Sequence, residues 1–192
     1  DYVRSYQPEP DIKKDRIKAA ADLINEAKKP FCLVGQGVLL GGAEEELKAF
    51  LQKNDIPAGS TVLGLSALPT DFPLNKGMLG MHGIGKNVPV DVKVLGNAKH
   101  TIPMITALLE ERKRPEWNAE FDRDEKEEYD KVIEKELYPT EGQLKMGEVV
   151  RKVSEATGND AVLVTDVGQN QMMGVRYFKY KQTRSVVTSG GL

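Results

Sequence analysis

FCLVGQGVLLGGAEEELKAFLQKNDIPAGSTVLG, residues 31–64, decides the fold. The run FCLVG is continuously apolar, as expected of a strand buried on both faces of a parallel sheet, and Lys29-Pro30 separates it from what precedes. A glycine-rich turn, GQGVLLGG, follows. AEEELKAFLQKN then reads as a helix whose first turn carries Glu44, Glu45 and Glu46, where carboxylates favour the positive end of the helix dipole. IPAGSTVLG supplies a second strand and its loop. Strand, helix and strand make a βαβ unit, so the fold class is α/β with a doubly wound parallel sheet.

Outward from this unit the pattern continues. On its amino-terminal side, IKKDRIKAAADLINEAK (12–28) places Ile12, Ile17, Ala20, Ala21, Ile24 and Ala27 at helical spacing. DYVRSYQPEPD (1–11) lacks the apolar core of a secretory signal and reads as a linker entering the domain. On the other side, residues 64–83 hold Pro69, Pro73 and four glycines without a sustained period and read as irregular. VDVKVLG (90–96) is expected to be the third strand, followed by a helix after Pro103. Three strands are few for such a domain. Two further βα units would need about 60 residues, and the deficit falls at LGMHGIGKN (79–87), where Gly83 and Ile84 are expected not to be true chain neighbours.

The central domain is placed at 12–112 and a charged helical connector at 113–139, with Trp117 as its packing anchor. Pro139 and Gly142 punctuate the chain, and a second domain opens at 140–192. There, Leu144, Val149, Val150 and Val153 share one helical face, AVLVTDVG is a buried strand, QNQMMGVRYFKYK opens a helix, and RSVVTSGGL is a further strand.

Composition excludes several classes. With 27 basic and 29 acidic residues the chain has no field to attract nucleic acid or an anionic membrane. No apolar run approaches the ~20 residues of a membrane span. A single cysteine, Cys32, precludes an internal disulfide and fits a reducing, cytoplasmic setting, its thiol serving as a small buried hydrophobe. No Ser/His/Asp arrangement, paired metal spacing or P-loop lysine is present, so no catalytic residue and no metal ligand is assigned.

In open parallel sheets ligands lie beyond the carboxyl ends of the strands. The first such loop, Gly35-Gln36-Gly37, misses the dinucleotide spacing, and Asp55 precedes the second strand where an acid should end it. Nucleotide binding and a simple tight turn both remain open readings of it. In TDVGQNQMM, Gln169 and Asn170 stand at a helix amino terminus where amides can grip a diphosphate, and Asp166 is placed to cap that helix. His82 is left open as a solvent-facing loop histidine or a packing partner, with a base the least favoured reading.

At these residues the chain resembles the catalytic subunits of acetohydroxyacid (acetolactate) synthases. KPFCLVGQGV, IPAGSTVLGLSALP, MLGMHG, TDVGQNQM and TSGGL carry the likeness, in the family's order. The resemblance implies a thiamine-diphosphate enzyme of branched-chain amino-acid (isoleucine and valine) synthesis, with a central domain that holds FAD in a non-redox role. It implies FAD contacts at Gly35, Gln36 and Gly37, at Thr61, Val62 and Leu63, and at Leu79, Gly80, Met81, His82 and Gly83. It implies diphosphate contacts at Val167, Gly168, Gln169 and Asn170, although many relatives have His where this chain has Asn170. The magnesium ligands and the activating glutamate would lie outside this chain. The implied substrates are small 2-keto acids and the implied partners are further catalytic subunits, as dimer or tetramer, with a regulatory small subunit. Another thiamine-diphosphate carboligase of glyoxylate carboligase type, and a non-catalytic nucleotide-binding module, are the alternatives.

Overall fold

The computed structural model describes residues 10–79 and 90–189. The apolar stripe of the amino-terminal segment forms α1 (Lys14–Glu26), burying Ile17 and Ala21. Pro30 ends the approach to β1 (Cys32–Val34), and Gly37–Gly41 makes a short α2 closed by the left-handed Gly42. The glycine stretch is therefore partly helical rather than a plain loop, because Val38 has a core to enter. The three glutamates begin α3 (Glu44–Asn54), whose Leu47 and Leu51 are buried, and the chain returns in β2 (Ala58–Ser60). β1 and β2 pair in parallel, with Cys32 opposite Ala58 and Val34 opposite Ser60, as the βαβ reading requires. Val34, Leu47, Leu51, Ile56, Ala58 and Leu68 form the core of this unit.

The third strand is not where the sequence places it. β3 is Asn75–Met78, parallel to β2 and inside the stretch read as irregular. The apolar alternation at 90–96 forms no strand, and Val90 and Leu95 are exposed. NKGM lacks the apolar run of a buried strand, and its pairing comes from β2 through Ala58–Asn75 and Ser60–Met78. α4 (Ala98–Leu108) starts five residues before Pro103, capped by Asn97, whose Oδ1 accepts the Lys99 amide at 2.9 Å. It packs on α1 and α3.

The connector forms α5 (Pro115–Glu128), a π-turn at Tyr129–Ile133 and α6 (Glu134–Leu137). Trp117 anchors it: the indole Nε1 donates to Pro30 O at 2.7 Å, Phe121 meets the indole edge-on, and Phe121 stacks on Phe31. Then follow α7 (Met146–Ala156), β4 (Leu163–Thr165), α8 (Gln169–Tyr177) and β5 (Val186–Thr188), with β4 and β5 parallel. α7 buries Gly147 and Ser154, whereas Val149 and Val153 of its apolar face are exposed. The reason is close packing on the other side, where a side chain at Gly147 would meet Glu136 O at 2.9 Å and Ser154 Oγ ties to both Lys179 N and O.

The two sheets are fastened by residues 66–70 and 180–186. Ser66, buried with φ 61°, donates its amide to Tyr180 Oη and accepts the Val186 amide on Oγ at 3.1 Å. Thr70 and Tyr180 exchange hydrogen bonds, Thr70 Oγ1 donating to Tyr180 O and Tyr180 N donating to Thr70 Oγ1. Arg184 reaches Glu44 Oε1 at 2.5 Å and Leu39 O at 2.6 Å.

Candidate functional site

The loops after β1 and β2 and the first residue after β3 meet beyond the carboxyl ends of these strands. Thr61 N donates to Val34 O at 2.9 Å, which sets the loop after β2 against the end of β1. Thr61 Oγ1 accepts the Gly64 amide at 3.1 Å and caps the single 3₁₀ turn Val62–Gly64. The closeness depends on Gly64, where a Cβ would stand 2.2 Å from Val34 O and 2.8 Å from Val34 C. Gly35 and Gly37 differ, because a Cβ there would meet nothing within 4 Å among the described residues, so the first loop faces open space. Leu79 N donates to Ser60 O at 3.0 Å, and the Leu79 side chain occupies the space that a Cβ on Gly59 would take. The structure thus gathers Gly35, Gln36, Gly37, Thr61, Val62, Leu63 and Leu79 at one sheet edge. Gly80, Met81, His82 and Gly83 lie outside the described residues, as does the junction of Gly83 with Ile84.

The second candidate group, Val167–Asn170, stands on the other sheet, between β4 and α8, and is exposed throughout. Gly168 is the N-cap of α8 at φ 134°, a conformation closed to side-chain-bearing residues. No side chain caps this nine-residue helix, and the Gln169 and Asn170 amides have no acceptor among the described residues. Asp166 does not cap it: its Oδ1 accepts the neighbouring Val167 amide at 2.7 Å. Asn170 Oδ1 likewise turns back to accept the Gln171 amide at 2.7 Å. Exposed amides at the positive end of a helix dipole, beside a glycine that leaves room, fit a diphosphate group. Met172 is half exposed rather than packed in a core.

One residue of this group was missed in the sequence. Gln171 is 4% exposed, and its Nε2 donates to Thr188 Oγ1 at 2.6 Å, tying the first turn of α8 to the end of β5. The available signal was a glutamine on the helix face that turns inward one residue after Asn170. Gly174 lets α8 lie close on β4, with Thr165 Cγ2 and Leu163 Cδ2 3.2 and 3.3 Å from where its Cβ would be. Among the described residues no group of three or more His, Cys, Asp or Glu could hold a metal ion. Burial pushes the Cys32 thiol up to about 12, so it is no nucleophile near neutral pH.

Residues 17–84 match the family of thiamine pyrophosphate enzyme central domains. The chain is similar to the acetolactate synthase of Mycobacterium leprae, 30% identical over 97% of this chain and 38% of that protein. It is similar also to the acetolactate synthase large subunit of Haemophilus influenzae, 28% identical over 98% of this chain and 41% of the relative. The corresponding large subunit of Buchnera aphidicola is 23% identical over the whole chain and 42% of its own length. The chain therefore spans about two fifths of the length of these relatives. Residues 17–84 thus match the central domain of the thiamine pyrophosphate enzymes, and over almost every residue the chain is similar to acetolactate synthase large subunits.

Proposed function

We propose that this chain provides the central domain (12–112), the connector (113–139) and the opening of the thiamine-diphosphate domain (140–192) of an acetolactate synthase. The reaction would join two pyruvates, or pyruvate and 2-ketobutyrate, into a 2-acetohydroxy acid with loss of CO2. The observation that carries this reading is a chain that joins a matched central domain to a glycine-capped helix latched by Gln171 to the strand before TSGGL. Bound thiamine diphosphate would supply the electron sink for decarboxylation and carboligation. The chain's own part is binding and orientation. The Gln169 and Asn170 amides hold the diphosphate, Gly168 leaves room for it, and Gln171 fixes the turn that presents them. Gly35 to Gly37, Thr61 to Leu63 and Leu79 to Gly83 would line an FAD site in its non-redox role. Magnesium would be held by residues outside this chain.

The matched span in the Buchnera relative supports the reading of a missing segment, since 242 positions align with a chain of 192, a difference of 50. That is close to the two βα units whose absence the sequence suggests. Assembly as a dimer or tetramer with a small regulatory subunit, in the cytoplasm, follows from the same proposal. Among the described residues no helix is long and apolar enough to cross a membrane.

The test is pyruvate turnover by the complete gene product with thiamine diphosphate, magnesium and FAD. Acetolactate formation together with bound flavin is expected. CO2 release without acetolactate would assign a different thiamine-diphosphate enzyme, and no cofactor-dependent turnover would leave a nucleotide-binding module.

A further inference from the structure

The end of α1 and the start of α5 enclose a cleft of about 640 Å³ whose lining includes no residue of either loop group. We propose that this cleft binds a multiply charged phosphate or diphosphate group. Arg114 forms part of its wall and is 8% exposed. Its Nη2 donates to Asn54 Oδ1 at 2.8 Å and to Ala27 O at 3.3 Å, both neutral, and its Nε finds no acceptor. No carboxylate pairs with this guanidinium among the described residues; Asp55 Oδ2 is spent on the Arg114 backbone amide at 2.5 Å. A buried cation with neutral partners and an idle donor is costly until an anion arrives.

The surroundings point the same way. Lys28 and Lys113 stand exposed on the cleft and form no ion pair among the described residues. Arg112 is held by Glu110, and Lys29 by Glu120. Glu26 and Glu116 are also on the lining, so with the Arg112–Glu110 and Lys29–Glu120 pairs set aside, Lys28, Lys113 and Arg114 face these two carboxylates. α5 opens on this cleft with Pro115 at its first position, no side-chain cap, and Glu116 and Trp117 amides that have no acceptor among the described residues. A 14-residue helix thus adds its positive end to the same space. Burial first, and then neighbouring Arg112, depress the affinity of Arg114 for its proton; the nearby Asp55 carboxylate opposes the shift without overcoming it, and a bound anion would act in the same sense as Asp55. Three cations with no ion pair among the described residues, together with the helix end, suit a phosphate group better than a single carboxylate. The Trp117 indole is fixed by Pro30 O and covered by the Lys29 ammonium 4.9 Å away, so the recognised part is the phosphate rather than a stacked base.

Trp117 is the chain's one tryptophan and lies on the cleft wall, so its emission reports occupancy directly. Titration with diphosphate, balanced with potassium chloride to constant ionic strength, should give a saturable change. Lys28→Ala combined with Lys113→Ala alters only exposed side chains and should leave thermal unfolding in place while weakening the apparent Kd by about tenfold. ADP binding more tightly than diphosphate would identify a nucleotide as the source, and equal binding a free diphosphate. A change that follows ionic strength without saturating would overturn the site, as would a double variant that titrates like the parent. Gly168→Ala, at the start of α8, should leave the titration unchanged; its abolition there would move the anion to α8 and refute the cleft.

Discussion

Gly35 and Gly64 are both glycines at strand ends, yet their substitution should have opposite results. Gly64→Ala drives a Cβ into Val34 O and should cost about 2–3 kcal/mol by overpacking, read as a lower urea midpoint. Gly35→Ala meets nothing within 4 Å among the described residues and should stay within about 0.5 kcal/mol of the parent. A weaker affinity for FAD in the complete protein, with stability unchanged, would then mark the first loop as a binding loop. Ser66 carries a different tension. Its left-handed backbone favours glycine, but its Oγ serves the Val186 amide. Ser66→Ala keeps the strain and loses the acceptor, whereas Ser66→Gly loses only the acceptor. The alanine variant should therefore be the less stable by about 1 kcal/mol in matched denaturant curves. None of these distinctions is legible in the sequence, where Gly35, Gly64 and Ser66 all stand in or beside loops at strand ends. What separates them is which backbone atom of a distant segment stands opposite.

Elements with a strong period were legible and those formed by borrowed pairing were not. α1, α3, β1, β2, β4 and β5 form where their apolar patterns place them, but the burial read for FCLVG and AVLVTDVG does not hold: Leu33 of β1 and Val164 of β4 are exposed among the described residues, since each sheet there has a face that no described element covers. β3 has no apolar pattern: Lys76 and Gly77 interrupt it, and only the free edge of β2 makes it a strand. The alternation at 90–96 is the converse, a strand-like pattern with no strand beside it. The candidate diphosphate turn was legible through TDVGQNQM, but its latch was not, since the Gln171–Thr188 bond joins residues 17 apart across a sheet edge. Gln171→Leu should cost about 1 kcal/mol by removing a part-buried hydrogen bond and should speed hydrogen exchange at the Gly168–Gln171 amides more than elsewhere. Helix contacts also carry a pH signature. The Glu46 carboxyl, bonded by Lys99 at 2.6 Å, is held below its ordinary pKa, chiefly by that bond. A depressed carboxyl stabilises the fold above its unfolded pKa and loses that contribution as pH falls through the lower folded value. Acid unfolding of Glu46→Gln should accordingly be less steep than that of the parent, with the difference confined to the acid limb.

At the scale of the whole molecule, two sheets act together through a small set of contacts. Arg184 is partly exposed, so its bonds to Glu44 and Leu39 are worth less than a fully buried pair. Arg184→Ala should lower stability by about 1–2 kcal/mol and broaden or split the thermal transition if the sheets then melt separately. The α/β class and the joining of two βα units were readable because β1, β2, β4 and β5 each announce themselves. The fastening of one unit to the other was not, since Ser66, Thr70, Tyr180 and Arg184 have no periodic signature. That fastening also fixes an order of events in time. The β1–β2 pairing closes a loop of some two dozen residues, whereas the Ser66–Tyr180 and Glu44–Arg184 bonds close separations of 114 and 140. Because closure entropy rises with loop length and slows non-local pairing, the first sheet should assemble early and the seam to the second should zip last. During synthesis or refolding, the turn that presents Gly168 would then acquire its final surroundings only at the end of folding.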